Sequence, residues 1–150
     1  MPDSLSYELH ALTARLDRAA DRLLQREENV SYSRFLALLA ARQSGGTQRE
    51  LAQWLGLTEP STSRMVGVLA DEGFLEVHSV SGSGNRRNVR LTARGSALVE
   101  RCCRLLEQRF RELVERSGVS YDSYQADTRR LLDRLGGQQQ RAEAGAKAVL

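Results

Sequence analysis

Residues 47–95 read TQRELAQWLGLTEPSTSRMVGVLADEGFLEVHSVSGSGNRRNVRLTARG. Thr47 and Glu50 form a T-x-x-E capping box, which opens a short helix. Leu51, Ala52 and Leu55 fall on one face of it, and Gly56 ends it. Thr58 caps a second helix, with Pro60 in its first turn, where the missing N–H costs little. Met65, Val66 and Leu69 make the buried stripe of that helix, and Gly73 takes its C-terminal position. Leu75 and Val77, and later Val89 and Leu91, alternate with polar residues, which is strand periodicity. Gly82 and Gly84 supply the permissive backbone between the two strands. The order predicted is helix, tight turn, helix and hairpin, with Arg86 and Arg87 at the hairpin tip.

The flanks are helical. Leu5, Leu9, Leu12, Leu16, Ala19 and Leu23 recur at alternating steps of four and three, a heptad-like seam that wants a partner. Ser31 caps the next helix, with Phe35, Leu38 and Leu39 inward and Gly45-Gly46 as its stop. Thr92 opens a long helix whose inward positions are Leu98, Cys102, Leu105, Phe110 and Leu113, and Gly118 closes it. Ser120 or Asp122 starts a last helix carrying Tyr124, Leu131, Leu132 and Leu135. After Gly136-Gly137 the periodicity fades, and the pattern fits either fraying or a continued helix. The predicted class is mainly α (α+β), in the order α-α-α-α-β-β-α-α. One domain over 1–150 is expected, with a winged helix-turn-helix core at about 31–95. Long dimerisation helices are expected at about 4–28 and 93–136, with a tail at 137–150.

The chain has 150 residues, enough for one core, and 41% of them are apolar. Net charge is only +3, but it is uneven. From Ser81 to Arg94 there are four arginines (86, 87, 90 and 94) and no acid, whereas Met1–Glu28 carries four arginines against six acids. Positive charge gathered on one loop suits a polyanion. Of 22 basic residues, 21 are arginine, which grips phosphate and guanine edges bidentately, although genome composition accounts equally well for that bias elsewhere in the chain. No stretch approaches the ~18 apolar residues of a membrane span, and the N-terminus lacks a secretory pattern, so a cytoplasmic protein is expected.

A DNA-reading helix needs small or polar side chains near its N-terminus and apolar ones behind. Ser61, Thr62, Ser63 and Arg64 supply the first set. Arg64 is placed to bind guanine through O6 and N7. The helix N-termini at Thr47 and Thr58 offer free N–H groups to phosphate oxygens. Arg86 and Arg87 follow two glycines and suit a narrow minor groove, while Arg90 and Arg94 sit near the hairpin base, within reach of phosphates. The partner predicted is double-stranded DNA. Each motif has an ordinary reading as well: hydroxyls cap helices, and basic hairpins are often solvated loops. It is the order and spacing together that favour DNA.

At these residues the chain resembles the MarR family of winged-helix regulators, over about Leu5 to Leu135. LAQWLGLTEPSTSRMVGVLADEGFL and NRRNVRLTARG carry the resemblance, through Ser63-Arg64, Gly73-Phe74-Leu75, Asn85-Arg86-Arg87 and Leu91-Thr92-Ala93-Arg94-Gly95. Two positions depart from the family pattern. Asn85 stands where an aspartate usually holds a wing arginine, and a neutral acceptor is weaker there. Val77 stands where many relatives have a basic residue. The resemblance implies a homodimer on a pseudo-palindromic operator, with reading helices about 34 Å apart. It also implies a repressor released by a small, often aromatic or anionic effector, or by cysteine oxidation. On that pattern an effector lies between the dimerisation helices and the winged core, where His10, Tyr32, Phe35 and Trp54 are candidates by type. Packing in core and interface explains the same four residues.

Cys102 and Cys103 are adjacent on a helix, pointing about 100° apart, so they do not bridge each other. Arg101 and Arg104 beside them would favour a thiolate and a redox role, whereas burial as small hydrophobes is the plainer reading. His10 and His78 are isolated, so no metal site is expected, and no cofactor or catalytic constellation is seen. The rival readings are a winged-helix protein-interaction adaptor, a cysteine-based redox-sensing regulator and, weakest, a small enzyme.

Overall fold

The structure is a computed structural model. It describes residues 4–44, 46–79, 81, 82 and 86–147, with backbone alone for 44 and 137–147. Eight elements follow one another: α1 (Leu5–Glu28), α2 (Tyr32–Ser44), α3 (Gln48–Leu55), α4 (Glu59–Asp71), β1 (Leu75–Ser79), β2 (Arg87–Leu91), α5 (Ala93–Arg116) and α6 (Tyr121–Lys147). This is the predicted order and class. Contacts divide the chain into two compact units, Met1–Leu106 and Glu107–Leu150.

In the first unit, α2 is the centre. Phe35, Ala37, Leu38, Ala40 and Ala41 are all buried, which covers more than one face of the helix. α1, α3, α4 and β2 pack around it. Ser4 caps α1 by accepting from the Tyr7 N–H, and Asn29 ends it in the left-handed region at φ 53°. Leu24, near its C-terminal end, is fully buried, whereas Leu5, Leu9 and Leu12 remain exposed. The carboxylate of Asp21 accepts from the Tyr32 N–H at 2.9 Å, which ties α1 to the start of α2. Further along the chain, Arg34 on α2 pairs with Glu72 beyond α4 at 3.1 Å.

Thr92 makes the joint between hairpin and α5. Its N–H donates to the Phe74 carbonyl, its hydroxyl donates to the Gly73 carbonyl at 2.7 Å, and that same oxygen accepts from the Gly95 N–H at 3.0 Å. A Cβ at position 95 would collide with the Phe74 carbonyl, so the close approach requires glycine. Here lies the physical content of Leu-Thr-x-x-Gly: one hydroxyl caps α5 and glycine admits the preceding turn. Leu98, Val99 and Cys102 then enter the core, and Arg101 reaches Glu28 at 3.0 Å.

The second unit holds the end of α5, a turn at Gly118 (φ 76°) and α6. Val114 and Tyr121 are buried in it. The Phe110 ring packs against Tyr121 and Tyr124, with centroids 6.5 and 6.3 Å away. Arg111 lies over the Tyr121 ring at 3.8 Å, and the Tyr121 hydroxyl donates to Glu107. That hydrogen bond, before burial, raises the Tyr121 phenol above its ordinary pKa.

Several expectations need correction. Leu113, expected inward, is half exposed, and the buried neighbour is Val114. Val77 lies opposite buried Val89 and shares its face, yet stays exposed because the core ends before the outer half of β1. Leu39 is only half buried. Of the two candidate starts for the last helix, Ser120 serves, accepting from the Ser123 N–H. α6 continues through Gly136-Gly137 to Lys147, a run the fading periodicity left open. Gly45, Gly84 and Asn85 lie outside the described residues.

Candidate nucleic-acid interface

α3 and α4 are two short helices with side-chain caps at their mouths. The Thr47 hydroxyl accepts from the Glu50 N–H while the Glu50 carboxylate accepts from the Thr47 N–H at 2.8 Å, completing the capping box. Gly56 reverses the chain at φ 65°, and Thr58 accepts from the Ser61 N–H to open α4. The hairpin returns beside them in antiparallel register, with Leu75 opposite Leu91 and Ser79 opposite Arg87. One further bridge joins Thr47 to Asn88, and the Gly46 carbonyl accepts from the Val89 N–H at 3.1 Å. The wing is thereby fastened to the residues that begin α3.

The result is a cleft of about 750 Å³ between α3, α4 and the wing. It is lined by Thr47, Gln48, Arg49, Glu50, Gln53, Glu59, Ser63, Arg86 and Arg87. The structure thus gathers four of the sequence-predicted residues, Thr47, Ser63, Arg86 and Arg87, on one concave surface. Arg86 and Arg87 are exposed. Ser61 and Arg64 lie on the outer side of α4, with Arg64 exposed and its guanidinium 3.5 Å from the Ser61 hydroxyl. Arg90 is exposed opposite Glu76 on β1.

Thr62 departs from the expectation. It is fully buried, and its hydroxyl donates to the Thr58 carbonyl at 3.0 Å. It sits one turn from Thr58 on the inward stripe with Val66 and Leu69, so it has no face to offer a base. Arg94 is exposed at the start of α5, with its guanidinium over the Phe74 ring at 4.8 Å. The sequence reading missed Gln48, Arg49, Gln53 and Glu59. For Arg49 and Gln53 the signal was present, because the 100° step of α3 turns both away from buried Leu51 and Ala52.

The proposed effector residues divide. Tyr32 and Phe35 stack at 6.1 Å, and burial followed by Asp17 raises the Tyr32 phenol. Phe35 is itself part of the core. His10 is exposed on α1 and Trp54 is half exposed on α3, and among the described residues neither makes a ring contact with that pair. Both cysteines pack at the core. Cys102 is fully buried, and burial first, then the Glu28 charge, pushes its thiol up to about 11, against the opposing pull of Arg101. Burial raises Cys103 as well, against the opposing pull of Arg42. Among the described residues no three His, Cys, Asp or Glu side chains stand together at metal-ligand spacing, and no helix is long and apolar enough to cross a membrane.

Residues 33–79, from α2 through β1, match the IclR helix-turn-helix domain family. Among curated proteins, none matches the sequence. Solved structures resemble it over nearly the whole chain. A MarR variant from E. coli complexed with operator DNA is 24% identical, with a TM-score of 0.70 over 87% of this chain and 92% of that one. A MarR-family protein of Mycobacterium tuberculosis in complex with salicylic acid is 25% identical, with a TM-score of 0.67 over 90% and 99%. MepR, a transcription regulator of the Staphylococcus aureus multidrug efflux pump MepA, is 23% identical, with a TM-score of 0.66 over 90% and 98%. With a helix-turn-helix at its centre and a wing fastened beside it, the chain has the fold of the MarR-family winged-helix regulators.

Proposed function

We propose that this chain is a DNA-binding transcriptional regulator, a MarR-like domain over 1–150 that occupies a pseudo-palindromic operator as a homodimer and acts as a repressor in the cytoplasm. One observation carries the reading: the cleft that sets Ser63 of α4, the capped N-terminus of α3 and the wing arginines Arg86 and Arg87 on one concave surface. Its parts match the parts of a duplex. The N-terminal turns of α4 meet base edges in the major groove, the helix mouths meet phosphates, and arginines enter the adjacent minor groove. The proposed contact set is Thr47, Ser61, Ser63, Arg64, Arg86, Arg87, Arg90 and Arg94. The E. coli MarR variant with operator DNA supports this use of the fold.

Dimerisation is argued from uncovered apolar surface in each unit. Leu5, Leu9 and Leu12 on α1, and Leu131, Leu132 and Leu135 on α6, are exposed in one copy of the chain. A helix with an unpaired apolar row is covered most simply by a second copy. The effector is proposed to be a small aromatic or anionic molecule, supported by the salicylic acid complex of the Mycobacterium tuberculosis protein. Such a ligand releases DNA only by binding the DNA-incompetent state more tightly.

The test is a gel-shift series against genomic fragments at rising salt, repeated with salicylate. Selective retention of a few fragments, weakening linearly with log salt, is expected. An adaptor that binds proteins instead would show no sequence-selective shift, and that result would overturn the reading.

A further inference from the structure

We infer that Glu59 is a specificity-determining residue, accepting a hydrogen bond from the exposed amino group of cytosine in the major groove, with Arg49 as its charge-balancing neighbour. The inference deepens the proposed function and rests on it.

Acids are costly in a surface that faces phosphates, so each acid in the cleft needs a reason. Glu50 has one: its carboxylate is held by the Thr47 N–H inside the capping box. Glu59 takes part in no capping box, and its structural uses are the dipole of α4 and a solvated ion pair. It is the first residue of α4, exposed, and lines the same cleft as Ser63, Arg86 and Arg87. Its partner among the described residues is Arg49, whose Nε lies 3.8 Å from Glu59 Oε1. That separation is an ion pair beyond hydrogen-bond range, so both carboxylate oxygens keep their accepting capacity. The pair is also mostly solvated, with side chains 78% and 63% exposed, and it opens at little cost.

Position decides what the carboxylate can accept from. The first turn of a recognition helix is the part that reaches base edges. A carboxylate there cannot pair with the acceptor edge of guanine, and it repels phosphate, but it matches the cytosine N4 amino donors. Arg49 beside it offsets the negative charge and faces the backbone that flanks the groove. A glutamate at a helix start is also favourable to the helix itself, through the helix dipole. Base preference separates the two roles, because a helix-stabilising acid does not select a base.

The experiment is selection of the full-length protein on duplexes randomised across both half-sites, followed by sequencing. Wild type, Glu59→Gln, Glu59→Ala and Arg49→Ala are compared, with thermal melts confirming that each is folded. Wild type is expected to favour cytosine about tenfold or more at one position of each half-site. Glu59→Gln should shift that position to adenine, whose N6 and N7 glutamine reads. Glu59→Ala should lose preference there while the other positions persist. Arg49→Ala should keep cytosine and shallow the salt slope by about one. If wild type and both Glu59 variants select the same motif, the assignment to Glu59 is overturned and the proposed function stands. If wild type enriches no motif at all, both fall.

Discussion

Thr62 and Ser63 are neighbours in the chain with different surroundings. Thr62 is fully buried and bonded to the Thr58 carbonyl, while Ser63 lines the cleft. The 100° step of a helix makes that difference, and it is why a Ser-Thr-Ser run cannot be treated as one reading surface. Arg64 and Arg87 should likewise separate. Arg64→Ala is expected to relax preference at one base pair by about 1–3 kcal/mol, measured as competition between operator variants. Arg87→Ala should weaken binding to all sequences alike and reduce the slope of log affinity against log salt by about one. Equal effects of both on every base pair would count against these assignments. Cys102 makes a pH prediction. Its thiol rises from 9.0 to about 11 on folding. A raised value means the fold favours the neutral thiol, so its contribution is complete below pH 9 and is lost as pH climbs towards 11. Wild type should therefore lose thermal stability over that window more steeply than Cys102→Ala. Parallel melting curves would show that ionisation at this site has no consequence.

At the scale of elements, the wing depends on its attachment. The bridge from Thr47 to Asn88 and the bond from Val89 to Gly46 make the start of α3 and the hairpin one piece, so the capping box serves the wing as well as the helix. Thr47→Ala removes the hydroxyl that holds the Glu50 N–H and should cost about 0.5–2 kcal/mol in a denaturant melt. It should also raise amide exchange in β2, and a loss confined to α3 would show that the two elements open separately. Gly95→Ala tests the other end of the hairpin. A methyl group there must displace the Phe74 carbonyl, and the expected loss is about 1–3 kcal/mol, read by thermal unfolding. A stability unchanged from wild type would mean that the joint accommodates it freely.

For the whole molecule, the exposed leucines of α1 and α6 set the expectation of a dimer at micromolar concentration. Leu132→Asp is the informative change, since Leu132 is exposed in the single chain and a charge there costs the monomer little. Sedimentation should show wild type dimeric and the variant monomeric, with helical content kept and operator affinity lost. A variant that remains dimeric would place the interface elsewhere. The amino-acid sequence by itself determined the element order, the capped starts of α3, α4 and α5, the hairpin and the helix-turn-helix, because caps, glycines and periodicity act within a few residues of each other. Leu-Thr-x-x-Gly was legible as a pattern, but its cause was tertiary: the Phe74 carbonyl that fills the space a Cβ would take. Only the tertiary structure decided that Thr62 is buried, that Arg94 lies over Phe74, that Arg101 pairs with Glu28, and that Arg49 and Glu59 share the cleft with the wing. Each of those outcomes depends on which surface is already covered by a distant segment, and burial is a property of packed neighbours that no local pattern contains.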